Sequence, residues 1–288
     1  MSTLGSSLKT FGVFAVVFGF IYAAAAVLAL FLPVWSLSYI LMWTALAVLM
    51  NVAMYFLSDK LVLASYRARM VTEQEAPELH ALVSEVAAAA GLPKPKVAVM
   101  QESSPNAFAT GRNPQHAVVC FTTGILGLLS PNELRGVVAH EMSHVKNRDT
   151  LVMTAVATVA AFFAYIIQFG GMAASSRDSR NGGGSLLAYF AFAIAGTIAA
   201  AVLRAFVSRR REYGADATGA GLLHDSSGLA NALLKLDYAS RGKPMRVARD
   251  ASAHLFIVNP FSASRAAGLF RSHPPIQDRV RRLERLGY

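Results

Sequence analysis

Four long stretches almost free of charge constrain this chain more than any other feature. Between Met1 and Leu57 the only charged side chain is Lys9. Residues 11–33 form an apolar run closed by Pro33, and residues 39–57 form a second run after a turn at 34–38. Two more runs cover residues 151–173 and 185–207. The polar turn between them contains Arg177, Asp178 and Arg180 and then Gly182-Gly183-Gly184. A hydrocarbon layer of about 30 Å takes about 20 helical residues to cross. The expectation is four transmembrane helices paired as two hairpins. Such lengths argue against buried core helices, and the first run is too long, and too close to the second, for a cleaved signal peptide.

Composition agrees. Apolar residues make up 54% of the chain and charged residues 15%, where about 25% charged is usual for a soluble protein. This excludes a disordered chain, a collagen-like fibre and a coiled coil. A single cysteine, Cys120, excludes a disulfide scaffold and suits a reducing compartment. The expected organisation is a membrane hairpin at 1–57, a polar segment at 58–150, a second hairpin at 151–207 and a second polar segment at 208–288.

The net charge of +10 raises the question of nucleic acid. Residues 59–149 hold nine basic and nine acidic side chains, a net charge of zero, whereas residues 204–288 hold fifteen and seven, a net charge of +8. The excess therefore lies next to a membrane exit, where an anionic inner leaflet attracts each Lys or Arg by about 1 kcal/mol. No base-stacking module accompanies it, so no nucleic-acid partner is expected. Lys60, Arg67 and Arg69 follow the second span, Lys146 and Arg148 precede the third, and Arg204 and Arg209–Arg211 end the fourth. That bias places both termini and both polar segments in the cytoplasm, against a weak contrary signal from the turn after span three.

In the polar segments, spacing predicts a helix over 72–92, with His80 on its surface, and strands over 96–100 and 116–122. Residues 103–114 read as a loop or an irregular edge strand. Ser130-Pro131-Asn132-Glu133 is a capping box with proline at the first helical position. The helix it opens carries His140-Glu141-Met142-Ser143-His144. Residues four apart share a helix face, so two imidazoles can converge on one metal ion with Glu141 beside them. From seven His and nine Glu, the chance expectation of this pattern is on the order of 0.005. Zinc suits two imidazoles plus one carboxylate, and it acidifies water and polarises a peptide carbonyl while Glu141 takes the proton.

Candidates for the third ligand are Asp149, Glu212, Asp216, His224, His254 and His273. If the second hairpin returns the chain to the side it left, His144 and Glu212 lie at similar depth, which favours Glu212. Asp216, one turn further on, can hold a ligand histidine by its free N–H. Asp149 is the runner-up ligand, but it points off the His face and suits a cap or a hydrogen bond to a ligand better. Glu212 could instead pair with Arg209 or Arg211.

The motif His140-Glu141-Met142-Ser143-His144, the segment Ser208-Arg209-Arg210-Arg211-Glu212-Tyr213-Gly214-Ala215-Asp216 and Ser272-His273-Pro274-Pro275 together resemble the HtpX-type integral membrane zinc metalloproteases, relatives of the CAAX prenyl proteases. The resemblance covers nearly the whole chain. It implies a mostly helical α+β fold, with a zincin-like (gluzincin) protease domain and a small sheet beside the four spans. It implies one zinc per chain on His140, His144 and Glu212, with Glu141 as the catalytic base. It further implies an edge strand at Asn106, Ala107, Phe108 and Ala109 that holds an extended substrate through backbone hydrogen bonds. His273 would donate to the tetrahedral oxyanion, and Arg279 would pair with Asp216. The implied role is quality control of misfolded membrane or unfolded polypeptides in the bacterial inner (cytoplasmic) membrane. A processing protease for lipidated proteins should enclose a larger chamber with more spans. An inactive adaptor is at odds with an intact Glu141. A transporter should carry polar groups within its spans.

Overall fold

The computed structural model describes residues 45, 49, 56–57, 59–149, 194, 208–242, 256–257 and 274–288. The chain divides into two compact units, one of Met1–Tyr55 and Leu151–Arg204, the other of Phe56–Thr150 and Ala205–Tyr288. The four expected spans lie almost entirely outside the described residues. Among the described residues no helix is long and apolar enough to cross a membrane.

The second unit is mostly helical with one small mixed sheet. Its described elements are α1 (59–65), β1 (Arg69–Met70), α2 (Pro77–Ala90), β2 (Lys96–Met100), β3 (Ala107–Thr110), β4 (Val118–Thr122), α3 (Thr123–Leu128), α4 (Pro131–Asn147), α5 (208–223), α6 (Ser227–Gly242) and α7 (Ile276–Glu284). The strand order is β1-β2-β4-β3. β2 and β4 run parallel, with Ala98 opposite Cys120, while β1 and β3 flank them antiparallel. β3 is thus an edge strand, as expected for 106–109.

Several boundaries differ from the sequence reading for local reasons. The helix foreseen at 72–92 starts only at Pro77, which takes its first turn, and ends where Gly91 turns left-handed at φ 67. Residues 72–75 instead close a turn in which the Glu75 carboxylate accepts from the Thr72 N–H at 2.7 Å. The strand foreseen at 116–122 starts at Val118, because Pro114–His116 wind into one 3-10 turn capped by the Asn113 side chain. His80 is buried rather than superficial, 8% exposed, with its Nε2 at 3.0 Å from the Val71 carbonyl.

α4 is the central helix and packs against α2, α6 and β3. Its apolar face supplies Val137, Val138 and Met142 to a core shared with Val83 and Val86 of α2, Phe121 of β4 and Leu229, Leu233 and Leu236 of α6. Two glycines let backbones meet there. A Cβ on Gly136 would come within 2.5 Å of the Leu229 backbone nitrogen, and one on Gly219 of α5 within 3.0 Å of the His140 nitrogen. The second approach brings α5 against the turn of α4 that carries the motif.

Candidate metal centre

α4 starts as the sequence predicts. Ser130 Oγ accepts from the Glu133 N–H, and the Glu133 carboxylate accepts from the Ser130 N–H at 2.8 Å. A fixed start sets the rotation of the helix, and with it the direction of His140, Glu141 and His144. His140 and Glu141 are buried, and His144 is half-buried. The two rings stand edge to face, with centroids 4.7 Å apart and Nε2 atoms 3.1 Å apart.

Glu212 comes from α5. Its Oε2 lies 3.6 Å from His140 Nε2 and its Oε1 3.7 Å from His144 Nε2. One ligand atom from each of His140, His144 and Glu212 lies within 4.8 Å of the others, close enough for all three to hold one metal ion. The chemistry of this set, two imidazoles and a carboxylate, fits a divalent cation.

Behind each imidazole stands a carboxylate, and behind each carboxylate an arginine. His140 Nδ1 is 2.9 Å from Asp216 Oδ1. Asp216 receives two hydrogen bonds from Arg279, at 2.8 Å from Nε and 2.7 Å from Nη2. His144 Nδ1 is 2.5 Å from Asp149 Oδ2, and Asp149 forms an ion pair with Arg211 at 3.1 Å. Asp149 reaches His144 because Arg148 takes a left-handed conformation at φ 57 and turns the chain back at the end of α4. The same geometry directs each Nε2 to the ligand side, since a carboxylate on Nδ1 selects the tautomer. Asp149 is not one of the three residues whose ligand atoms converge.

The electrostatics follow from these contacts. Burial would raise the Asp216 pKa, but the Arg279 guanidinium and then His140 hold it below the usual carboxylate range. Asp149 is lowered in the same way, its burial outweighed by His144 and Arg211. Burial would lower the His144 pKa, but the hydrogen bond to Asp149 and the nearby Glu212 and Glu141 raise it. Glu141 is raised, chiefly by burial, and the two histidines only partly offset this. Its Oε2 accepts from the Ala109 N–H at 2.7 Å, and its Oε1 is buried without a hydrogen bond among the described residues.

The structure therefore brings together His140, Glu141, His144, Asp149, Glu212, Asp216 and Arg279, and sets β3 beside them through Ala109. His273 and His254 lie outside the described residues. His224 is at a left-handed turn with its ring near Tyr288, in the turn between α5 and α6. Asn106, Ala107 and Phe108 lie at the edge and are buried, at 2%, 0% and 0% exposed. Ala107 and Phe108 are covered in part by Ile257 and Phe256, whose proximity to β3 sequence reading missed. An apolar pair inside the basic C-terminal segment was the available signal. Arg211 was also missed as the partner of Asp149; its place beside Glu212 suggested a different pairing.

Residues 73–286 match the protein family described as Peptidase family M48. A relative named Protease HtpX homolog from Syntrophobacter fumaroxidans is 48% identical over 243 residues, 83% of this chain and 86% of that protein. Another of the same name, from Methanocaldococcus jannaschii, is 44% identical over 282 residues, 96% of each. Among solved structures, the chain is similar to S. mikatae Ste24p, with a TM-score of 0.56 and 16% identity over 97% of this chain. It spans 65% of the length of that protein. At that identity the likeness shows the fold alone.

Proposed function

This chain belongs to peptidase family M48 as an HtpX-type metalloprotease, a hydrolase of peptide bonds, and from that premise we propose a zinc endopeptidase embedded in the cytoplasmic membrane that removes misfolded membrane proteins. The reading includes the four spans in two hairpins, a gluzincin arrangement of the polar segments, and a site that faces the cytoplasm beside an anionic leaflet. The observation that carries it is the convergence of His140, His144 and Glu212 next to a buried Glu141 oxygen that accepts no hydrogen bond among the described residues.

His140 Nε2, His144 Nε2 and a Glu212 oxygen would hold the zinc. When bound, zinc supplies Lewis acidity toward water and toward a peptide carbonyl. Glu141 Oε1 is the acceptor for the proton that water gives up, and the same carboxylic acid then returns the proton to the departing amine. Its raised pKa makes Glu141 a stronger base toward water, and its protonated carboxyl is still far more acidic than the ammonium that the departing amine becomes, so the return of the proton runs downhill. Asp216 and Asp149 hold the two ring N–H groups and keep Nε2 directed at the ion. β3 supplies backbone groups for an extended chain. His273 is assigned the oxyanion contact on the resemblance of its motif.

The test is Glu141→Gln, which keeps the size of the side chain and removes the base. It should retain zinc and lose casein cleavage by about a hundredfold or more. Undiminished cleavage would remove Glu141 from the mechanism.

A further inference from the structure

β3 faces away from the sheet with four backbone groups, and three of them are already used. In an antiparallel pair, residues alternate between those bonded across the pair and those whose N–H and C=O point outward. Thr122 N–H donates to the Asn106 carbonyl at 3.0 Å. With Phe108 opposite Cys120 and Thr110 opposite Val118, this turns Ala107 and Ala109 outward. Ala107 N–H donates to the Asn106 side chain at 3.1 Å. The Ala107 carbonyl accepts from Ile257 N–H at 3.2 Å. Ala109 N–H donates to Glu141. The Ala109 carbonyl accepts from no residue among those described.

Phe256 and Ile257 are fixed in this place. Each is 1% exposed. The Phe256 ring packs edge-on against Tyr66 and Phe108, with both centroid distances 5.2 Å. The Ile257 carbonyl accepts from Arg279 Nη1 at 3.0 Å. Moving the dipeptide would leave a fully buried guanidinium short of a partner and open an aromatic cluster, both costly.

We propose that Phe256-Ile257 is a built-in end stop on the substrate edge. An extended polypeptide pairs with β3 through Ala109 alone, donating one backbone N–H to its carbonyl. The chain's carbonyl at that residue competes with Glu141 for the Ala109 N–H. Ile257 denies it the next pairing position, Ala107. This rests on β3 being the substrate edge of the proposed protease. A ladder one residue long demands extended backbone at one point only, which suits a protease that meets unfolded chains of many sequences.

The experiment is an N-methyl scan. A decapeptide that spans a bond cleaved in casein is made with one backbone N–H methylated at a time. Each version is assayed as a competitive inhibitor of casein cleavage by the full-length, zinc-loaded protein. One position should raise Ki about threefold to tenfold, the equivalent of one hydrogen bond. The position two residues toward the C-terminus, which would face Ala107, should leave Ki unchanged. Two sensitive positions spaced by two, or none, overturn the proposal. Residue-resolved amide exchange gives a second readout that needs no turnover. The Ile257 amide should stay equally protected with and without saturating peptide, and loss of its protection on binding overturns the end stop. Failure of the protease reading looks different, as casein left uncleaved by the zinc-loaded protein.

Discussion

His140 and His144 are held by the same device at two depths. Each gives its Nδ1 to an aspartate that pairs with an arginine. In the first assembly the side chains of His140, Asp216 and Arg279 are 1%, 3% and 0% exposed. In the second, those of His144, Asp149 and Arg211 are 17%, 7% and 19% exposed. Arg279 grips Asp216 with two parallel hydrogen bonds and also reaches Glu212 at 3.5 Å and the Ile257 carbonyl. Arg211 makes one ion pair with Asp149. Water screens the second assembly and hardly reaches the first, so the two should separate sharply when either is broken.

The largest effect is expected at Arg279. Arg279→Met leaves the Asp216 carboxylate buried without its cation, at a cost of about 3–5 kcal/mol. Arg211→Met, at the screened position, should cost about 1 kcal/mol or less. Denaturant unfolding of both variants measures the difference, and equal losses would break the comparison.

Next comes metal affinity. Removing the carboxylate behind a ligand histidine typically weakens binding about 10–100-fold. Asp216→Ala should fall at the upper end and Asp149→Ala at the lower. Competition with a zinc chelator of known affinity reads both.

The smallest effect is in pH. His144 is raised above 6.5 in the metal-free protein, so a proton competes for its Nε2 at a higher pH than it would on a free imidazole. A raised group contributes stability that is full below the unfolded pKa and disappears as pH climbs through the folded one. The stabilising contribution of Asp149 to the metal-free protein, measured against Asp149→Ala, should therefore be larger at pH 6 than at pH 8. Asp216 carries the opposite sign. Its lowered pKa gives stability that is present above the ordinary Asp value and is lost only on stronger acidification.

Much of the metal-binding half was legible in the sequence, because it is encoded locally. The capping box, the two histidines four apart and the Glu212–Asp216 spacing each lie within one helical turn, where side-chain geometry follows directly from sequence separation. The link between α4 and α5 came from span topology and a resemblance, and the distances between Glu212 and the two histidines agree with it. The substrate half was much less legible. That β3 is an edge could be anticipated, but its burial could not. Coverage by Phe256 and Ile257 joins residues as far as 150 apart, through the Ile257–Ala107 backbone hydrogen bond, the Phe256 ring contacts and the Arg279 bond, and a backbone donor in particular leaves no mark on residue type. His80 differs for a related reason. A polar residue on a helix suggests a solvated face, and only tertiary packing reveals the buried carbonyl that it serves.

The central claim is that residues from two separate polar segments complete one metal site. The direct measurement is the metal content of full-length protein purified without chelators, for the unaltered chain and for Glu212→Ala. About one zinc per chain is expected for the first and well below one for the second. Full occupancy in Glu212→Ala would contradict the claim and transfer the third ligand to another carboxylate.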